Sequence, residues 1–137
     1  MKIKIKSSEN DVKKAIKEYL EYEGWKVRRI NNAGTKRNDA EGREFYTFAG
    51  DPGVSDLHCT KAGVDQMWIE CKATGKKPSK DQENFMRDVN STPSGIAFWA
   101  DSFDMFLPIY NDIKNGYGLP KEPPKPGEYR VDFEVGK

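Results

Sequence analysis

Residues 52–82, PGVSDLHCTKAGVDQMWIECKATGKKPSKDQ, decide the fold of this chain. Within this segment, residues 57–60 and residues 66–73 both have the composition of β-strands. The residues between them include Gly63 and form a connection that is short enough for a hairpin loop. The segment therefore predicts an antiparallel β-hairpin at the centre of the domain.

The predicted hairpin brings two acidic residues together. If it is symmetric about its central glycine, Asp56 lies opposite Glu70, with Cβ atoms about 4.5–5.5 Å apart. Two negative charges in this position repel each other, so the pair requires a cation, and carboxylate oxygens are ligands that Mg²⁺ prefers. Because side chains alternate along a strand, Lys72 lies on the same face as Glu70. The residues next to them in the sequence point to the opposite face, into the core. The same register pairs His58, the only histidine, with Trp68. These features predict a divalent-metal site for phosphodiester cleavage.

Two motifs in this segment carry a family resemblance. Asp56 followed by Glu70-Cys71-Lys72 resembles the bipartite motif of the PD-(D/E)xK nuclease superfamily. More narrowly, GVSD followed by IECKATGKKPSKDQ is similar to the virus-type replication-repair nuclease family, VRR-NUC, whose pattern is G-V-P-D, then E-x-K, a basic linker and a glutamine. The chain departs from that pattern at Ser55, where a proline is usual, and at Cys71, where an aliphatic residue is common. Neither departure removes a metal-binding side chain.

The resemblance implies a fold and an activity. The fold is α/β, with a restriction-endonuclease-like core in which a mixed central β-sheet is flanked by helices. The activity is that of a Mg²⁺- or Mn²⁺-dependent DNA endonuclease acting on branched DNA, such as four-way junctions, in replication, recombination or repair. A junction substrate would require a symmetric homodimer that presents two sites. The alternatives are an inactive nucleic-acid-binding module that keeps the fold, and a purely structural salt-bridge cluster of Asp56, Glu70 and Lys72.

The resemblance also assigns roles to individual residues. The catalytic residues that it implies are Asp56, Glu70, Lys72 and Gln82. The metal ligands that it implies are Asp56, Glu70, the backbone carbonyl oxygen of Cys71, and Glu9.

Two of these residues have an alternative structural role. Glu9 lies in the first turn of the first predicted helix, where a carboxylate complements the helix dipole. Gln82 fits a capping box that begins at Ser79, in which its side chain binds back to the backbone. Because the cap and the metal site need the same side-chain amide, we expect the two roles of Gln82 to compete.

The net charge says nothing about binding partners, whereas the distribution of charged residues along the chain does. The net charge is only +1, but residues 1–37 hold eleven Lys and Arg against five Asp and Glu, and residues 72–80 hold four lysines and no acid. Basic clusters beside paired carboxylates suit a polyanionic substrate, although lysines also form ordinary solvated surfaces. The residues predicted to contact nucleic acid are Lys36, Arg37, Lys76, Lys77 and Lys80.

The cysteines and the N-terminus predict a cytoplasmic protein. Cys59 and Cys71 both fall in predicted strands, which favours reduced thiols in the core over a disulfide. The first ten residues, MKIKIKSSEN, lack the apolar run of a signal peptide, and no segment reaches the length of a membrane span.

The remaining segments complete one nuclease-like domain, residues 1–117, followed by a proline-rich tail, residues 118–137. Helices are predicted from Ser7 to about Glu23, over residues 79–90, and from Asp101 or Ser102 to Asn115. Strands are predicted over residues 25–31 and 96–100, and a last edge strand over residues 129–135. The polar segment that follows Gly34 and runs to about Gly50 is predicted to be a long loop.

Overall fold

The computed structural model describes residues 6–30, 35–47 and 53–119. In chain order the elements are α1 (Glu9–Tyr22), β1 (Lys26–Arg29), β2 (Thr35–Asn38), β3 (Glu44–Thr47), β4 (Leu57–Thr60), β5 (Gln66–Cys71), α2 (Lys80–Asn90), β6 (Gly95–Ala100) and α3 (Phe103–Lys114). None of the helices in these ranges is long and apolar enough to cross a membrane.

The central sheet has four strands in the order β1-β4-β5-β6. β1 and β5 each pair antiparallel with β4, whereas β6 runs parallel to β5. His58 pairs with Trp68, which confirms the predicted hairpin register. The hairpin loop contains Gly63 at φ +81°, a left-handed conformation that costs glycine little. The fold is therefore mixed α/β, as expected, and β5 ends at Cys71, two residues earlier than expected.

One face of this sheet carries the apolar core. Alternate hairpin residues point toward it and are buried, namely Leu57, Cys59, Met67, Ile69 and Cys71. α1 contributes Val12, Ile16 and Leu20 at helical spacing, and α3 contributes Phe106, Ile109 and Tyr110. The ring of Tyr19 contacts those of Phe106 and Tyr110 edge-on, which joins α1 to α3. α1 and α3 therefore share one face.

α2 lies on the opposite face of the sheet. Its Phe85 ring contacts Trp68 at 5.3 Å between centroids, and its Gln82 donates a hydrogen bond to Glu70. The carboxamide of Asn90 bonds both the N–H and the carbonyl oxygen of Ala97 at 2.8 Å. Because β6 is an edge strand of the described sheet, this side chain satisfies backbone groups that the sheet leaves open.

The helix boundaries follow local capping signals. Ser8 caps α1, Ser79 caps α2 and Ser102 caps α3, each by accepting a hydrogen bond from a backbone N–H in the first turn. The three predicted helices are thus confirmed, with ends shifted by a residue or two. Pro108 lies within α3 and does not end the helix.

One prediction of secondary structure is wrong. Part of the segment expected to be a long loop forms two strands, β2 and β3, which pair as an antiparallel ribbon with Lys36 opposite Tyr46 and Arg37 opposite Phe45. Asp39 organises the turn by accepting hydrogen bonds from the backbone N–H groups of Glu41 and Arg43. The predicted tail strand, residues 129–135, lies outside the described residues.

Candidate functional site

The two hairpin carboxylates converge as the register predicts. Asp56 immediately precedes β4, and its Oδ2 accepts a hydrogen bond of 2.9 Å from the backbone N–H of Cys71. Glu70 lies on β5 and immediately precedes Cys71. The bond to Cys71 holds the Asp56 carboxylate across the hairpin, beside the Glu70 side chain.

A third carboxylate comes from α1. Oxygens of Glu9, Asp56 and Glu70 all lie within 4.8 Å of one another, and we call these three residues the acidic triad. The start of α1 is fixed to the end of β5, because the N–H of Ser7 donates to Thr74 Oγ1 and the N–H of Thr74 donates to the Ser7 carbonyl. The predicted position of Glu9 at the site is consistent with this placement.

Glu70 has the least favourable environment in the triad. The residue is only 1% exposed, and its Oε2 atom is buried with no hydrogen-bond partner among the described residues. Burial, followed by the nearby charge of Asp56, raises the pKa of Glu70 to about 9. An ionised Glu70 therefore needs a positive charge at Oε2.

Two lysines bring positive charge to other oxygens of the triad. Lys72 Nζ lies 3.7 Å from Glu70 Oε1, and Lys13 Nζ lies 3.5 Å from Asp56 Oδ1. Both lysine side chains are 16% exposed. Sequence reasoning missed Lys13, although it follows Glu9 by four residues and therefore lies on the same helical face.

Gln82 corrects one expectation, because its two expected roles do not compete. Its Oε1 accepts from the backbone N–H of Ser79 at 2.8 Å, which completes the capping box. Its Nε2 donates to Glu70 Oε1 at 3.0 Å. The two ends of one amide thus serve the cap and the acidic triad at the same time.

The GVSD motif packs closely against α2. A Cβ atom at Gly53 would lie 2.3 Å from the carbonyl oxygen of Asp81, so only glycine fits there, and its φ is +85°. Ser55, which replaces the usual proline of the motif, is fully buried, and its Oγ has no partner among the described residues. This packing holds the segment before Asp56 against the first turn of α2.

The basic residues predicted to contact nucleic acid fall in two separate segments of the chain. Lys76 and Lys77, between β5 and α2, are exposed, as is Lys80 at the start of α2. Lys36 and Arg37 lie on β2. The role of the Cys71 carbonyl stays a prediction; the thiol of this residue is buried on the core face.

His58 lies on β4, two residues after Asp56, and its side chain is on the same sheet face as the acidic triad. Its ring stacks on Trp68 with 4.1 Å between centroids and 25° between planes, and its Nε2 is 2.6 Å from Gln66 Oε1. The predicted pairing with Trp68 is confirmed.

Comparison of the chain with protein-family models, curated proteins and solved structures found no match.

Proposed function

We propose that this chain is a metal-dependent DNA endonuclease of the VRR-NUC type, built on a restriction-endonuclease-like core. One observation carries the proposal: Glu70 Oε2 is buried without a hydrogen-bond partner among the described residues, and oxygens of Glu70, Asp56 and Glu9 lie within 4.8 Å of one another. Burying an ionised carboxylate without a partner is costly, and clustering three adds repulsion. A divalent cation bound between them relieves both costs.

The donor set fits a hard ion. The three side chains offer only carboxylate oxygens, which suit Mg²⁺ and Mn²⁺. We assign Asp56, Glu70 and Glu9 as side-chain ligands and the Cys71 carbonyl oxygen as a backbone ligand. When bound, such an ion lowers the pKa of a coordinated water and neutralises charge on the scissile phosphate.

The surrounding residues hold and complement this set. Gln82 fixes the orientation of Glu70, and the Cys71 N–H fixes that of Asp56. The ammonium of Lys72 is largely shielded from water, so it is a preorganised positive charge for the transition state of phosphodiester hydrolysis. Lys13 provides a second such charge from the Asp56 side.

The substrate in this proposal is duplex or branched DNA. The exposed lysines Lys76, Lys77 and Lys80 lie between the end of β5, which carries Glu70, and the first turn of α2, which carries Gln82. Such a basic segment beside an acidic triad suits a phosphate backbone. Cleavage of a four-way junction needs two sites, so the proposal includes a symmetric homodimer.

Cleavage assays test the proposal. Linear, nicked, flap and four-way-junction DNA are incubated with Mg²⁺ or Mn²⁺ and wild type, Asp56→Asn or Lys72→Ala. We expect wild type to cut at least one substrate and both variants to lose cutting while still binding DNA. Lys14→Ala, which removes an exposed lysine of the same helix as Glu9, should cut like wild type.

Each alternative has its own outcome. A wild type that binds DNA but cuts none of these substrates with either ion would replace the proposal with an inactive nucleic-acid-binding module. Calorimetry that detects no Mn²⁺ binding would leave a structural salt-bridge cluster.

A further inference from the structure

The face of the central sheet that carries α2 is covered unevenly. α2 lies over β5 and β6, where Phe85 contacts Trp68 and Asn90 bonds Ala97. On the same face of β1 and β4, Lys26 and Arg28 are exposed. In the part of the chain that the structure describes, no helix covers this half of the face.

One cation and two aromatic rings form a row that starts on this open half-face and runs across the strands. Arg28 pairs with His58 across β1 and β4, and His58 pairs with Trp68 across β4 and β5. His58 stacks on Trp68, and Trp68 is backed by Phe85. Neither Lys26 nor Arg28 has an ion-pair partner among the described residues. These cations are thus available to an anionic ligand.

The row leads directly into the acidic triad. Asp56, immediately before β4, precedes His58 by two residues, and Glu70 follows Trp68 by two residues on β5. At about 3.3–3.4 Å per residue, the row and the acids are roughly 7 Å apart along the strands. This distance is close to the length of one extended nucleotide.

We propose that the open half-face formed by Lys26, Arg28 and His58, whose ring stacks on Trp68, binds an unpaired stretch of polynucleotide beside the scissile phosphate. This inference rests on the proposed function, because the bound strand leads into the acidic triad. Arg28 and Lys26 contact the phosphates, and an unpaired base extends the stack of His58 on Trp68. A base inside a duplex is already stacked on both sides, so the row selects unpaired nucleotides.

Binding without metal tests the inference separately from cleavage. Fluorescence anisotropy in EDTA measures the binding of a short labelled single strand, DNA or RNA, and of the matching duplex. The proteins are full-length wild type, His58→Ala, His58→Phe and Arg28→Ala, with Lys14→Ala as the charge-matched control. Thermal unfolding of each variant reports whether the fold is kept.

The two kinds of contact have different signatures. Loss of one stacked base weakens binding about tenfold, so we expect this loss for His58→Ala on single strands only, with recovery in His58→Phe. We expect Arg28→Ala to lower the slope of log K against log salt by about 0.7 for single strands, because one phosphate contact is lost. His58→Ala should leave this slope unchanged, and Lys14→Ala should bind like wild type.

Three outcomes overturn the inference: wild-type affinity in His58→Ala, failure of His58→Phe to recover binding, or an equal loss on duplex and single strand. The proposed function fails differently. A wild type that cuts nothing but binds single strands through His58 and Arg28 keeps the inference and rejects the nuclease. A wild type that cuts DNA, with all variants equal to it in binding, rejects the inference alone.

Discussion

Two neighbouring residues on opposite faces of the β4–β5 hairpin are buried to the same depth, with opposite energetic consequences. Cys71 is 0% exposed on the core face, and its neighbour Glu70 is 1% exposed on the other. On the core face burial removes apolar surface from water, which stabilises the fold. On the acidic face burial leaves Glu70 Oε2 without a hydrogen-bond partner in the described ranges, which destabilises the fold. The comparison indicates that the core stabilises a fold that carries an unfavourable buried carboxylate.

The largest predicted effect comes from Glu70→Gln. The amide keeps the shape of the side chain but removes the charge that a metal requires, so cleavage should fall below detection. In EDTA at pH 8 the variant should be more stable than wild type by a few kcal/mol, because Glu70 must take up a proton on folding and the amide does not; this cost is about 1.4 kcal/mol for each pH unit above 4.5. Cleavage assays and urea unfolding measure the two effects.

The opposite signs are the decisive feature of this prediction. A general packing defect would lower both activity and stability, as would a purely structural salt bridge of Glu70 with Lys72. A Glu70→Gln variant that is less stable than wild type in EDTA would show that Glu70 stabilises the metal-free fold.

The matched change on the core face is Ile69→Ala. Ile69 is fully buried next to Glu70, so its truncation should lower the free energy of unfolding by about 2–5 kcal/mol. Urea unfolding measures this loss. Cleavage per folded molecule, measured at low temperature, should be close to that of wild type. A loss of activity well beyond the unfolded fraction would mean that the two faces are not independent.

A smaller effect concerns pH. The pKa of Glu70 is raised from 4.5 to about 9 in the metal-free fold, so between these values the folded state holds a proton that the unfolded chain has lost. The stability contributed by this group is complete below pH 4.5 and declines as the pH rises toward about 9. Metal binding requires the ionised form, so stabilisation by Mg²⁺ should grow with pH in this window.

Thermal unfolding with Mg²⁺ and with EDTA, from pH 6 to pH 8.5, measures this linkage. At a Mg²⁺ concentration of about 100 Kd the stabilisation amounts to about 2.7 kcal/mol. The difference between the two curves should be almost independent of pH in Glu70→Gln. A wild-type difference that is flat with pH would contradict the coupling between Glu70 ionisation and metal binding.

Local patterns predicted most of the fold. The strand period of two and the short loop at Gly63 determined the hairpin register, and serine caps marked the starts of the helices. The ribbon of β2 and β3 was missed because its polar sequence lacks the apolar alternation of a strand with one buried face. In the structure its strands pair with each other and with no other described strand.

The site was less predictable because it depends on contacts between distant segments. The hairpin register predicted that Asp56 and Glu70 converge, but Lys13 reaches Asp56 only because α1 is fixed to the end of β5. The open half-face could not be predicted either, because no local sequence pattern shows that α2 covers β5 and β6 and leaves Arg28 exposed.

Gln82 gives the smallest predicted effect and the closest test of how the acidic face is held. Ser79→Ala removes one half of the capping box and should lower stability by about 0.5–2 kcal/mol with activity retained. Gln82→Glu keeps a capping-box residue but replaces the N–H donor to Glu70 with a further carboxylate, so cleavage should fall about 10–100-fold.

Gln82→Ala loses both interactions, and should therefore show the reduced stability of Ser79→Ala together with reduced cleavage. Unfolding curves and single-turnover cleavage rates for the three variants separate the contributions. Wild-type cleavage in Gln82→Glu would mean that the amide serves the helix cap alone. In that case the orientation of Glu70 would depend on Lys72 and, under the proposed function, on the metal ion.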